Sequence, residues 1–134
     1  MKARGCLVVL MCIFLAACAS MNVRNQVDKL NRTLIDYGAD LRWGRINMAY
    51  AYHVDKDGNQ ILYDLDKMEN ISITAFQPVN PVINEDGSDA TVPVEIDYYD
   101  ERSGALQKLK YVQHWWYQKD AKRWFVDSPF PDFK

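Results

Sequence analysis

The chain has 134 residues, with 16 Lys and Arg against 18 Asp and Glu and a formal net charge of −2. That length suits one domain, and the balance argues against a nucleic-acid partner, which calls for a basic face. Its two histidines, His53 and His114, stand far apart, and two of its three cysteines, Cys6 and Cys12, precede residue 18, so neither a closed zinc set nor an internal disulfide is expected beyond that point.

Met1-Lys2-Ala3-Arg4 has the positive start of a secretory signal, and Leu7 to Leu15 is the apolar run that follows one. The run is shorter than the roughly 20 residues a membrane span requires. It closes on Leu15-Ala16-Ala17-Cys18, which resembles the lipobox of bacterial lipoproteins. An ordinary cleaved signal with a chance cysteine is the plainer alternative. The resemblance implies that residues 1–17 are removed as a signal peptide, that Cys18 becomes the first mature residue and carries palmitate-type acyl chains on its thiol, and that residues 18–21 form a short tether. Residues 22–134 then form a single domain within a mature chain of 117 residues (134 minus 17). Two acyl chains hold a protein to its membrane where one is marginal. Ala19 stands where an aspartate commonly marks inner-membrane retention, so the implied place is the inner leaflet of the outer membrane, facing the periplasm, ahead of the inner membrane.

Val23, Val27, Leu30, Leu34, Tyr37 and Leu41 recur at spacings of four and three, which predicts an amphipathic helix with Asn22 as its cap. Leu41-Arg42-Trp43-Gly44-Arg45 predicts a break at Gly44. Ile46, Ala49, Tyr50 and His53 fit a second helix, although Met48, Tyr50 and Tyr52 also alternate as a strand would. Asp55-Lys56-Asp57-Gly58-Asn59 predicts a turn, and Ile61, Leu62, Leu65 and Met68 a short third helix. Asp55, Asp57, Asn59 and Asp66 have part of a calcium-loop spacing, but the glycine comes too early and the last ligand is not glutamate. Solvated turn residues account for the same letters.

From Asn70 the period changes to two. Ile71, Ile73 and Ala75 alternate with Ser72 and Thr74 up to Pro78 and Pro81, and Asn84 to Asp89 reads as a loop. Ala90, Val92, Val94, Ile96 and Tyr98 alternate with polar neighbours as the clearest strand, with this set facing the core. After a turn at Asp100 to Gly104, a strand from Leu106 to Tyr117 places Leu109, Tyr111, Trp115 and Tyr117 on one face and Val112, His114 and Trp116 on the other. Arg123 to Asp127 returns, and Ser128 to Phe133 is a proline-stiffened tail. Helices first and an antiparallel meander after predict an α+β fold, amino-terminal helices on a curved antiparallel sheet in a cone.

The long helix, the break at Gly44, the hairpin of Ala90–Tyr98 with Leu106–Tyr117 and the closing Arg123–Asp127 together resemble the nuclear transport factor 2-like superfamily, which includes SnoaL-like and ketosteroid isomerase-like proteins. The resemblance implies a cone with an apolar pocket. Tyr37, Asp40, Tyr50, His53, Tyr98 and His114 are the polar groups available to such a pocket, yet the isomerase trio of base, tyrosine and acid does not map onto them. A tyrosine on an apolar stripe is ordinarily core, and a lone strand histidine is ordinarily a hydrogen-bonded structural residue.

No nucleophile elbow, phosphate loop or dinucleotide fingerprint is present in the sequence, and no catalytic residue, metal or cofactor is assigned. The leading expectation is a non-enzymatic envelope protein held to the membrane through Cys18 and docking another envelope protein, with Trp115, Trp116 and Tyr117 as the candidate contact surface; the plainer alternative is that these aromatics are core, with the Ser128–Phe133 tail folded back over that face. A carrier or sensor of a small apolar ligand, and an isomerase or dehydratase using the cone, are the alternatives. A filled cone favours the first, an open apolar cone the second, and an open cone with converging acid–base groups the third.

Overall fold

The computed structural model describes residues 2–134, with side chains from Met21 onward. The Leu15–Cys18 side chains, and with them the lipidation expectation, lie outside the described residues. The fold is α+β, with helices at the amino-terminal end packed on a curled antiparallel sheet. Helix α1 (Lys2–Arg42) and the short α2 (Ile46–Tyr50) precede five strands: β1 (Ile71–Pro78), β2 (Val82–Ile83), β3 (Asp89–Asp100), β4 (Leu106–Gln118) and β5 (Arg123–Val126). The sheet runs β1-β3-β4-β5, and β2 pairs with the start of β3. No described helix is long and apolar enough to cross a membrane.

The period of the sequence explains the core. Leu30, Leu34, Tyr37 and Leu41 bury one face of α1 against Val92, Val94, Ile96, Trp124 and Val126. β3 turns all five of its expected residues, Ala90 through Tyr98, inward. Gly44, at φ +71, takes the left-handed conformation that ends α1 and lets the chain double back. Beside it Asp40 is buried and accepts a hydrogen bond from Arg45 Nε at 2.7 Å.

Several expectations fail for identifiable reasons. Asn22 caps nothing, because α1 already runs through it; nothing from Ala16 to Val23 is a Gly or Pro that would break the helix. Val27 is exposed, so the buried stripe starts at Leu30. The second helix lasts only to Tyr50, since His53 leaves it to bridge Val126 of β5. The third helix shrinks to a 3-10 turn at Leu65–Met68. Ile61 instead donates its N–H to His53 O, and Leu62 points into solvent at 91% exposure. A register shift between Ile73 and Ala75 breaks the alternation of β1, so Phe76 packs against the core. The Asp55 carboxylate accepts from the N–H groups of Asp57 and Asn59 within its own turn, and Asp66 sits apart in the 3-10 turn.

The tail after β5 turns under the sheet. Phe130 lies edge-on to Tyr50 and His53 and tilted against Tyr63, while Phe133 lies edge-on to Tyr98. The carboxyl segment thus closes the mouth of the cone.

Candidate functional site

Inside the cone, α1, the chain after α2, and β4 bring five polar side chains together. His53 is 0% exposed. Its Nδ1 lies 2.8 Å from Ser128 O, and because a carbonyl only accepts, Nδ1 carries the proton. Nε2 is then a lone pair, and it accepts the Tyr37 hydroxyl at 2.9 Å. Gln113 is fixed by the same logic. The Trp115 indole N–H only donates and meets Gln113 Oε1 at 3.0 Å, so the amide nitrogen faces Tyr111 Oη at 2.6 Å and Tyr37 Oη at 3.4 Å.

Burial keeps every member of this chain neutral. It lowers the His53 pKa from its ordinary value to about 4, against a smaller opposing effect of the Ser128 carbonyl. It pushes the Tyr37 and Tyr111 hydroxyls well above the usual tyrosine range. Both ring nitrogens of His53 are thus engaged, and the ring is out of contact with solvent. The aromatic packing is dense as well: Tyr37 makes edge contacts with Tyr52, Phe76 and Trp115 at centroid separations of 5.3–5.8 Å.

Of the residues expected to line a pocket, Tyr37 and His53 meet directly, but as core. Tyr50 lies nearer the mouth, where its hydroxyl donates to Ile61 O at 2.8 Å. Tyr98 closes the far side, its hydroxyl 3.1 Å from both Gln107 Oε1 and Lys134 O. His114 is outside the cone, exposed on the opposite face of β4. Asp40 is engaged by Arg45.

The expected contact surface divides. Trp115 is 1% exposed and belongs to the core, because β4 turns it inward with Gln113. Trp116 is half-buried on the outer face, donating to Val54 O at 2.8 Å and lying against Phe125. Tyr117 is half-buried against Trp124 and accepts from Lys29 Nζ at 2.9 Å.

Sequence reasoning missed Gln113, Tyr111, Ser128 and Phe130. The signal for Gln113 was present: it falls in phase with Leu109, Tyr111 and Trp115, so a polar group was bound for the interior. Ser128 and Phe130 carry no periodic signal.

The described residues also leave several grooves. One of about 700 Å³ runs between β4 and the tail, lined by Leu109, Tyr111, Val112, Pro129 and Phe130 among others. A second, about 470 Å³, lies between α1 and β1, beside Ile35 and Phe76. A third, about 350 Å³, is of mixed character and bordered by Lys56, Asp89, His114 and Trp116 among others. No group of three or more metal-ligating side chains occurs among the described residues. No family model matches the chain, and no curated protein or solved structure does either.

Proposed function

We propose that this chain is a lipid-anchored, periplasm-facing module of the bacterial envelope that docks another protein and catalyses no reaction, on a cone of the nuclear transport factor 2-like kind. The observation that carries the non-catalytic reading is the saturated interior: both ring nitrogens of the buried His53 are engaged, by Tyr37 and Ser128. Phe130 occupies the mouth where a substrate or apolar ligand would enter. Function is left to the outer surface, where grooves and exposed apolar side chains such as Trp43 and Met48 are found.

The anchor reading rests on Leu15-Ala16-Ala17-Cys18, and the position of the loop before β3 is in keeping with it. Gly87, at φ +73, presses on α1 so closely that a Cβ there would come within 3.2 Å of Gln26 Cγ and 3.6 Å of Val23 Cα. Val23 is five residues past Cys18, about 8 Å along a helix. A lipid on Cys18 holds the domain against the bilayer surface.

The test is Cys18→Ser, followed in cells by labelled palmitate and membrane fractionation. Label and membrane-bound mature protein should both disappear. Palmitate entering the serine variant would remove the anchor from the account.

A further inference from the structure

We propose that the free edge of β4, Lys108 to Val112, is a strand-addition site for an extended apolar segment of a partner protein that carries a basic side chain. The inference rests on the docking reading above and names its site.

β4 pairs with β5 only over Trp115–Gln118. One step further, His114 still turns its backbone to that side: its C=O accepts from Asp127 N–H at 2.8 Å and its N–H donates to Ser128 Oγ at 2.9 Å. Backbone groups in an antiparallel strand alternate sides, and the β3–β4 register runs from Leu106 to Trp116 without a shift. Val112, Lys110 and Lys108 therefore direct their N–H and C=O groups to the same open side. A straight continuation of β5 would have paired with them. Pro129 and Pro131 have no N–H to offer, and the tail veers away to Tyr98 and Lys134. The separation leaves the groove of about 700 Å³, with the β4 edge as one wall and the tail as the other.

An inserted strand would take main-chain hydrogen bonds from that edge and rest alternate side chains on Leu109, Tyr111 and Phe130. Val112, beside it, is 47% exposed.

Charge selects the occupant. Lysines commonly blunt an edge strand, but here Lys108 and Lys110 lie across β3, ion-paired to Asp97 at 2.6 Å and Glu95 at 2.8 Å. The remaining charges on the groove are Asp127 and Asp132 against Lys134. Lys56, which feels Asp127, is bound to Asp89. A second copy of this chain paired through β4 would bring its own Lys108 and Lys110 and leave those two carboxylates without a new counter-charge. A partner strand with Lys or Arg supplies one.

The probe is a capped synthetic peptide, Thr-Val-Arg-Val-Thr-Val, added to the full chain in detergent micelles. Controls are the same peptide N-methylated at alternate amides and a version with Glu in place of Arg. Amide hydrogen exchange at Lys110 and Val112 should slow by roughly tenfold with the first peptide, stay unchanged with the methylated one, and slow less with the Glu version. Unchanged exchange at both amides, equal protection by the methylated peptide, or a peptide-free dimer that already protects them would overturn the proposal. A photocrosslinking residue placed in cells at Val112 or at Met48 separates the two levels. A protein captured from Met48 alone overturns the β4 site and leaves the docking reading standing; capture from neither position removes both.

Discussion

Trp115 and Trp116 are neighbours on β4 that meet different surroundings, since successive strand residues face opposite ways. Trp115 lies under α1 and holds Gln113 in place; Trp116 covers the outer face with one bond to Val54 O. Trp115→Ala should cost about 3–5 kcal/mol through the cavity it leaves, with the bared Gln113 oxygen adding to the loss. Trp116→Ala should cost clearly less, about 1–2 kcal/mol, because its ring is only half removed from water. Chemical denaturation of the two variants measures the difference, and equal losses would contradict this division of the faces. His53 gives the pH dependence. Its folded pKa, about 4, lies below the ordinary 6.5, so the unfolded chain takes up its proton first as pH falls. Its contribution is complete above about pH 6.5 and is lost progressively down to about pH 4, in total about 3 kcal/mol. Asp100, which Arg102 holds down to about 2, titrates below that window. Stability that stays flat from pH 6.5 to 4.5 would mean that His53 is not buried neutral.

At the scale of elements, what was legible followed from unbroken period. The 4-3-4 spacing of Leu30, Leu34, Tyr37 and Leu41 identifies the buried face of α1, and ten alternating residues identify β3 with its inward side. The region from Ile46 to Met68 was not legible, because its hydrophobics answer to tertiary partners: His53 bridges Val126, and Ile61 is fixed by His53 and Tyr50. The bulge in β1 shifts Phe76 inward, which a strict alternation cannot anticipate. The polar cluster was half legible: Tyr37 and His53 stood out as polar groups on apolar faces, whereas Ser128 contributes only its backbone carbonyl, for which no side chain speaks. That the tail could fold back over the sheet was legible; which aromatics it meets was not. Phe130 is buried among Tyr50, His53 and Tyr63, so Phe130→Ala should destabilise the fold by about 3–5 kcal/mol. A melting temperature close to that of the parent chain would show that the tail does not close the cone.

For the whole molecule, a domain of this size without an internal disulfide depends on its core. Here Tyr37, His53, Gln113 and Trp115 fill the inner end of the cone, and the docking proposed above is assigned to edges and grooves. This closed interior is the central claim, and His53 reports on it directly. Nitrogen NMR of the imidazole ring across about pH 3 to 8 reads tautomer, titration and solvent access together. The account predicts a neutral ring protonated on Nδ1, a midpoint near 4 and slow exchange of the ring proton with water. A midpoint near 6.5 with a rapidly exchanging ring proton would contradict it, because water would then reach His53, and the cone would be open to a ligand or a substrate.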